Sequence, residues 1–210
     1  DPGDEMGHAV NAITTNLTAF FRERHHFDFI ARELVPALKA PGRSRRVRFW
    51  SAGCSTGEEP YSLAMTLRES GLMEGGHDVK ILATDLDTNC VDTAKAGRYA
   101  PRRLEGMSRG QRDRWFDSEG GDYRAVPDLR EMITFKPLNL LGEWPMKGPF
   151  QAIFCRNVMI YFDRETQREL VDRYADLLED GGYLFIGHSE SLFRISDRFD
   201  LVGNTIYRKR

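Results

Sequence analysis

The chain has 210 residues, of which 40% are hydrophobic and 30% charged, and its formal net charge is -2. This length allows one sizeable core, and the charge gives no electrostatic reason to expect nucleic-acid binding. No apolar run approaches the ~20 residues of a membrane-spanning helix. The three cysteines are odd in number and lack metal-ligand spacing, which favours a reducing cytoplasm over a disulfide framework. No signal peptide is recognised, although a chain that begins at Asp1 can lack an upstream segment.

The first predicted element is a long helix over residues 18–38. Its apolar residues recur at helical spacing and are Phe20, Phe21, Phe27, Ile30, Leu34 and Leu38. From spacing alone, the Thr and Asn residues at its start are interpreted as helix caps. Adjacent residues of a helix do not share a face, so His25 and His26 are not expected to bind a metal, and no metal site is predicted. A basic connection over residues 40–45 follows.

A strand, a glycine-rich turn and a helix follow one another from residue 46. In an open α/β sheet, such a turn binds a nucleotide-like cofactor. Gly53 and Gly57 let the backbone approach the ligand closely, as a residue with a side chain would not. The next predicted strand, residues 79–84, ends at Asp85, whose carboxylate suits the two hydroxyl groups of a ribose.

The acidic residues Glu58 and Glu59 decide which cofactor is expected at this turn. They would repel a pyrophosphate at a helix start that otherwise attracts anions, and the turn lacks a P-loop lysine. A nucleoside with a cationic tail fits better, which favours S-adenosylmethionine over a dinucleotide. The alternative is a structural turn, in which the glycines serve packing and the two acids complement the helix dipole.

The remaining chain alternates between predicted helices and strands. Helices are expected at residues 89–96, ended by Gly97, at residues 108–116, and after the cap Asp163 as far as Gly181 and Gly182. Strands are expected at residues 133–138, 150–155 and 183–186, with residues 199–207 as a terminal hairpin that turns at Gly203 and Asn204. Residues 122–126 and 132–135 are expected to pair with each other. This alternation predicts a doubly wound, mainly parallel α/β sheet.

Polar and aromatic residues follow the predicted strand 150–155, at the sheet edge where open α/β sheets bind ligands. Arg156 and Asn157 there could line a site for the methyl group and the substrate, with Tyr161 and Phe162 beyond them. The alternative is that Asn157 only turns the chain while the two aromatic residues pack below the next helix. Residues 187–191 superficially suggest a hydrolase, but the nucleophile pattern needs a serine between two glycines.

Five segments together resemble one family, the chemotaxis receptor methyltransferases (CheR). They are residues 15–23 (TNLTAFFRE), 55–62 (STGEEPYS), 83–88 (ATDLDT), 154–163 (FCRNVMIYFD) and 187–190 (GHSE). The resemblance implies a Rossmann-like methyltransferase fold and S-adenosylmethionine as cofactor, with S-adenosylhomocysteine as product. It also implies methyl transfer to glutamate side chains of chemoreceptors, which forms methyl esters.

The resemblance further implies roles for individual residues. It places Tyr161 near the transferring methyl group, and Arg156 is expected to hold the substrate acid. Residues implied in cofactor binding are Asn16, Thr18, Arg22, Gly53, Glu58 or Glu59, Asp85, Asn139 and Leu140 beside the adenine, Arg156 and Asn157. For the segment 15–23 this replaces the interpretation as helix caps.

The resemblance also divides the chain and names its partners. Residues 1–45 are expected to be a helical segment, the remnant of the family's all-α domain and linker, and residues 46–210 the catalytic domain. An antiparallel β-subdomain is expected at about 101–137, which in some members docks a peptide at the receptor carboxyl terminus. The expected partner is the helical cytoplasmic region of chemoreceptors. The protein itself is expected to be a cytoplasmic monomer that inserts into no membrane and binds no nucleic acid. Two alternatives stay open: a methyltransferase of another substrate, and a non-catalytic module that binds S-adenosylmethionine.

Overall fold

The computed structural model describes residues 18–210, and its centre is a seven-stranded sheet. The strand order is β6-β2-β1-β7-β8-β10-β9. The first five strands of this order are mutually parallel, whereas β10 and β9 run antiparallel at one edge. The strands are β1 (Arg46–Ala52), β2 (Asp78–Asp85), β6 (Ile133–Pro137), β7 (Phe150–Cys155), β8 (Leu178–Ile186), β9 (Phe199–Gly203) and β10 (Ile206–Lys209). The predicted mainly parallel α/β sheet is confirmed.

A second, three-stranded antiparallel sheet is inserted between elements of the first. Its order is β3-β5-β4, with β3 at Arg98–Tyr99, β4 at Phe116–Glu119 and β5 at Asp122–Ala125. The helices around both sheets are α1 (His25–Phe29, a π-helical Ile30–Leu34, and Val35–Leu38), α2 (Glu58–Glu69), α3 (Thr88–Ala96), α4 (Arg109–Trp115), α5 (Pro127–Arg130) and α6 (Arg164–Leu177). Among residues 18–210, none of the helices combines the length and apolarity that crossing a membrane requires.

The central strands separate two hydrophobic layers because successive side chains of a strand point to opposite faces. In β7, Phe154 packs into the layer beneath α1 and α2, and its neighbour Ile153 packs into the layer beneath α6. In β8, Phe185 packs into the first of these layers and Leu184 into the second. Apolar burial on both faces explains why these strands read as nearly continuous hydrophobic runs.

The first helix begins at His25, so the prediction of a helix from residue 18 is wrong at its amino-terminal end. Phe21 and Glu23 have φ values of 55° and 56°, the left-handed region, which no continuous helix allows. The Phe21 amide donates instead to Ser62 Oγ in α2, at 2.9 Å. Phe20 packs edge-on against Tyr99 of the small sheet, with ring centroids 5.0 Å apart. The packing of Phe20 on the small sheet and the hydrogen bond of the Phe21 amide to α2 thus replace the helical turn.

The predicted pairing of residues 122–126 with 132–135 is also wrong. β5 pairs with β4 through a two-residue turn at Gly120 and Gly121, whose φ values of 62° and 89° suit a tight hairpin. β6 pairs in parallel with β2 and forms one edge of the large sheet. A tight glycine turn favours the immediate hairpin partner over a strand that lies further along the chain.

Several smaller predictions are confirmed or shifted. Gly97, with φ 62°, ends α3, and Asp163 caps α6 by accepting from the Thr166 amide at 2.9 Å. α6 ends at Leu177, before the glycine pair that was expected to end it, and that pair lies within β8. The terminal hairpin is confirmed, but it turns at Asn204 and Thr205, one residue later than expected.

Replacing Phe154 with alanine should destabilise the protein strongly. Its ring is fully buried and stacks on Phe185 with centroids 4.4 Å apart, so truncation leaves a cavity that costs about 3–5 kcal/mol. Urea unfolding followed by circular dichroism measures the change. The same substitution at Phe193, which is 72% exposed, should alter the free energy of unfolding by less than ~0.5 kcal/mol. Similar losses for both variants would contradict this account of the core.

Candidate active site

A cavity of about 540 Å³ opens at the carboxyl ends of the parallel strands. It is bounded by the segment before α1, the turn after β1, the end of β2, the loop after β6 and the loop after β7. Most of the predicted site residues line it, namely Thr18, Arg22, Gly53, Glu59, Asp85, Asn139, Leu140, Arg156, Asn157 and Tyr161. Glu58 does not line the cavity, and Asn16 lies outside the described residues.

The glycine turn is fixed by packing against the protein itself. A Cβ atom on Gly57, where φ is 99°, would lie 2.8 Å from both Ala94 Cβ and the Tyr99 hydroxyl. A Cβ atom on Gly53, where φ is 93°, would lie 2.5 Å from Val158 Cγ2. The Gly53 amide also donates to the Thr84 carbonyl at 2.8 Å, which ties the ends of β1 and β2 together. The alternative interpretation, in which the glycines serve packing, therefore holds for Gly57. Gly53 also packs closely, but it faces the cavity as well.

Asp85 ends β2 with its carboxylate fixed by two backbone donors. Oδ2 accepts from the Ser55 amide at 2.7 Å, and Oδ1 accepts from the Asp87 amide at 3.0 Å. Burial raises the pKa of Asp85 above its usual range, against the lowering effect of these hydrogen bonds. The carboxylate keeps acceptor capacity toward the cavity, because an ionised carboxylate offers about four lone-pair sites.

The two neighbouring glutamates at the start of α2 point to different places. Glu58 is completely buried and pairs with Arg103, whose Nε is 2.9 Å from Oε1, and Thr56 Oγ1 donates to its other oxygen at 2.7 Å. It therefore faces the segment that follows β3, not the cavity. Glu59 faces the cavity and accepts from Ser51 Oγ at 2.7 Å. Burial raises the pKa of Glu59, and the charge of a nearby guanidinium opposes that rise.

That guanidinium belongs to Arg156 and is buried between two carboxylates. Its Nη1 is 3.1 Å from Glu59 Oε2, and its Nη2 is 3.4 Å from Glu23 Oε2. Nη2 also donates to the carbonyl of Arg22. The positive charge is thus balanced within the protein, which argues against the expectation that Arg156 holds the substrate carboxylate. Its geometry suits a structural role in which it joins the cavity walls.

Glu23, which sequence reasoning did not select, links this ion pair to the end of β8. Its Oε1 accepts from the amide and from Nδ1 of His188, at 3.0 Å and 2.8 Å. Burial opposes ionisation, but the hydrogen bond from the His188 amide and the charge of Arg156 lower the pKa of Glu23 overall. Both residues lie in segments that carry the family resemblance, 15–23 and 187–190, which was the available signal.

His26 is fully buried beside Glu23. Its Nε2 is 2.9 Å from Thr205 Oγ1, and burial, with the charge of Arg156, lowers its pKa to about 3. Ligand atoms of Glu23, His25 and His26 lie within 4.8 Å of one another, so the expectation that adjacent histidines face apart is wrong here. The guanidinium 3.4 Å from Glu23 already supplies positive charge to that carboxylate and disfavours a further cation.

The rim of the cavity is formed by exposed side chains from two loops. Tyr161 is 51% exposed and Ile160 is 48% exposed, both on the loop after β7. On the opposite side, Asn139 Oδ1 accepts from the Leu141 amide at 2.9 Å, which forms a turn after β6. Arg22 and Thr18 supply the wall contributed by the amino-terminal segment. The arrangement combines an acidic interior with an accessible aromatic rim.

Comparisons with known proteins match nearly the whole chain. The family model described as CheR methyltransferase, SAM binding domain, matches residues 16–208. A probable chemotaxis protein methyltransferase of Rhizobium etli is 45% identical over 208 residues, covering 95% of this chain and 76% of the relative. Chemotaxis protein methyltransferase 2 of Pseudomonas aeruginosa is 46% identical (99% and 74% covered), and the chemotaxis protein methyltransferase of Escherichia coli is 45% identical (94% and 68%). Among solved structures, DszA carbon methyltransferase has a TM-score of 0.47 at 17% identity, covering 78% of this chain and 35% of that chain.

Replacing His26 with glutamine should flatten the loss of stability on acidification. The usual histidine pKa is 6.5 and that of His26 is about 3. Between these values the unfolded chain takes up a proton that the folded protein excludes, so stability falls as pH drops below 6.5. The slope is at most ~1.4 kcal/mol per pH unit for one proton. Glutamine cannot take up this proton.

Unfolding free energies at pH 7, 6 and 5 measure the slope for both proteins. This window lies above 4.5, the usual pKa of a glutamate such as Glu23, so the neighbouring carboxylate contributes little to it. A variant with the unaltered slope would contradict burial of His26 in its neutral form.

Proposed function

The chain belongs to the CheR methyltransferase family and is a methyltransferase that uses S-adenosylmethionine; we propose that it transfers the methyl group to glutamate side chains of chemoreceptors, forming methyl esters. The observation that carries the proposal is the cavity at the sheet edge, where Asp85 and Glu59 face the same space as Asn139 and Tyr161. This combination of groups suits a nucleoside that carries a positive charge.

The residues present fit such a cofactor. The Asp85 carboxylate, held by two amides, has lone pairs left for two ribose hydroxyl groups. Glu59 supplies negative charge for a cationic tail, and Arg22 supplies a counter-charge for a carboxylate. Leu140 and the turn at Asn139 offer an apolar surface and an amide for the base. When bound, the cofactor supplies an electrophilic methyl group.

The chain's own residues have little acid–base work in this reaction. A glutamate side chain is ionised at neutral pH without help from a base. What the protein must provide is position, with reacting atoms about 3–3.5 Å apart. Tyr161, at the exposed rim, orients the incoming carboxylate by donating its hydroxyl hydrogen. Arg156 acts indirectly, because it holds Glu59 and the Arg22 backbone in place.

Finer features of the partner belong to the same proposal. The strand order β3-β5-β4 leaves one edge of β4 without a strand partner among the described residues, and such an edge can accept an extended peptide. We therefore assign the tethering of a receptor carboxyl-terminal peptide to the small sheet. We also assign residues 46–210 to the catalytic domain, with the small sheet as its insert. A monomer in the cytoplasm, where the helical receptor region lies, completes the proposal.

Incubation with radiolabelled S-adenosylmethionine and receptor cytoplasmic fragments tests the proposed reaction. Base-labile label on the receptor fragment is the expected result, because methyl esters hydrolyse in alkali. Label on other proteins but not on receptors would favour a methyltransferase of another substrate. Tight cofactor binding with no transfer would favour a binding module without catalysis.

Replacing Tyr161 with phenylalanine should lower kcat for the receptor fragment about tenfold, the order expected for one lost hydrogen bond. The KM for S-adenosylmethionine should change little, since the aromatic ring remains. Initial rates of label transfer measure both constants. Tyr183→Phe, a matched change within β8 and outside the cavity lining, should leave both constants unaltered. An unchanged kcat for Tyr161→Phe would refute a polar role for its hydroxyl group.

Replacing Asp85 with asparagine should weaken S-adenosylhomocysteine binding roughly 10- to 100-fold, as expected for hydrogen bonds to a charged acceptor. Isothermal titration calorimetry measures the dissociation constant. Asp87→Asn is the control, two residues away: Asp87 caps α3 by accepting from the Asn89 amide at 2.8 Å, and asparagine caps equally well. The dissociation constant of S-adenosylhomocysteine for this control variant should stay within twofold of that for the unsubstituted protein. Equal effects of both substitutions would count against a direct contact from Asp85.

A further inference from the structure

Glu190 is a buried carboxylate with an unusual set of partners, all of them backbone amides. Its Oε2 accepts from Gly187 at 2.6 Å and from Asn157 at 2.9 Å. Its Oε1 accepts from Val158 at 3.0 Å and from Ile160 at 3.3 Å. The residue is only 8% exposed and does not line the cavity. Its four hydrogen bonds therefore act on the backbone, and three of them reach the loop after β7.

That loop needs an external acceptor because its conformation is not a regular one. Asn157 has a φ of 59°, a left-handed conformation that is costly for a residue with a side chain. The turn satisfies its later amides internally, since Tyr161 donates to the Val158 carbonyl at 3.2 Å. The earlier amides, of Asn157, Val158 and Ile160, converge on the Glu190 carboxylate. A single side chain thus accepts the amide hydrogen bonds that a neighbouring strand would accept in a regular sheet.

A second observation shows that the two loops are fitted to each other. A Cβ atom on Gly187 would lie 2.6 Å from Asn157 Nδ2 and 2.9 Å from the Asn157 backbone nitrogen. From the other side, Gln167 of α6 donates to the carbonyls of Met159 and Phe162 at 2.9 Å and 3.0 Å. The loop is held by its amides on one side and by its carbonyls on the other.

The loop carries six cavity-lining residues, namely Arg156, Asn157, Val158, Ile160, Tyr161 and Phe162, while Met159 between them is buried and outside the lining. We propose that Glu190 is a positioning residue for methyl transfer, whose carboxylate holds this loop so that Tyr161 faces the reacting carboxylate. The inference rests on the proposed function. It also gives a role to the last residue of the segment 187–190, which the cofactor and substrate contacts leave unexplained.

The chemistry of the acceptor explains why glutamate stands here. Four N–H donors need four acceptor sites, which an ionised carboxylate offers on its two oxygens. Glutamine has almost the same shape but only one acceptor oxygen, and its NH2 group would face two N–H donors. Glu190→Gln therefore removes acceptors with little change of volume, and Glu190→Asp keeps the acceptors but withdraws them from the loop.

Steady-state methylation of a receptor fragment by Glu190→Gln is the first test. We expect kcat to fall roughly 10- to 100-fold, as for a misplaced reacting group, while the dissociation constant of S-adenosylhomocysteine rises by a smaller factor. Glu179→Gln, at the opposite end of β8 and bound to Arg43 and Gln151, should keep the kcat of the unsubstituted protein. A kcat within twofold of that protein for Glu190→Gln, or equal losses of kcat and cofactor affinity, would overturn the proposal.

Amide hydrogen exchange separates this proposal from the proposed function, because it needs no substrate. In Glu190→Gln the amides of Asn157, Val158 and Ile160 should exchange at least tenfold faster, while those of β1 and β2 keep their rates. If the unsubstituted protein transfers no methyl group to receptors, the proposed function fails, and unchanged exchange in the variant would still refute the role of Glu190. If Glu190→Gln does not fold, both measurements are made on Glu190→Asp. If this variant has the kcat and the amide exchange rates of the unsubstituted protein, the proposed role of Glu190 is refuted.

Discussion

The site depends on one buried guanidinium, that of Arg156, which joins three segments distant in sequence. It pairs with Glu59 at the start of α2 and with Glu23 before α1, and it donates to the carbonyl of Arg22. Glu59 belongs to the wall at the start of α2, whereas Glu23 and the Arg22 carbonyl belong to the segment before α1, and Arg156 itself belongs to the loop after β7. Loss of one member of a buried ion pair leaves an uncompensated charge, which is strongly unfavourable. The walls are therefore coupled, and the amino-terminal segment is held against the sheet by charge as well as by the apolar contacts of Phe20.

The same pairing sets the electrostatic character of the cavity. Two carboxylates share one guanidinium; of these Glu59 lines the cavity, and Asp85 adds a further acid that faces the cavity. Ser51 and His188 donate hydrogen bonds to the two glutamates, which stabilises their charge without cancelling it. Burial raises the pKa values of Glu59 and Asp85, so their ionised forms gain most from a cationic ligand. A positively charged sulfonium compound is thus matched to the interior, whereas a pyrophosphate is not.

Local sequence patterns located much of the fold and of the site. The turn after β1, the acid at the end of β2 and the loop after β7 follow from glycines, apolar runs and strand ends, which are properties of neighbouring residues. The pattern could not show which of Glu58 and Glu59 faces the cavity, because that choice depends on Arg103, 45 residues away. It also could not place the start of α1, where tertiary contacts of Phe20 and Phe21 override helical spacing. The family resemblance supplied Thr18 and Arg22, whereas spacing alone assigns Thr18 to capping and gives Arg22 no role.

Backbone strain in the described chain is concentrated around this cavity. Four residues other than glycine with left-handed φ values lie in or beside its walls, namely Phe21, Glu23, Ser55 and Asn157. Each such residue costs of order 1–3 kcal/mol and persists only where its surroundings hold it. The hydrogen bonds of the strained backbone identify the holding groups: Ser62 for Phe21, Asp85 for Ser55, and Glu190 for Asn157. Two of these three groups are carboxylates. The acids at this sheet edge therefore differ in what they contact. Asp85 fixes the turn with the same side chain that lines the cavity, whereas Glu190 does not line the cavity and accepts hydrogen bonds from the backbone of the loop that does.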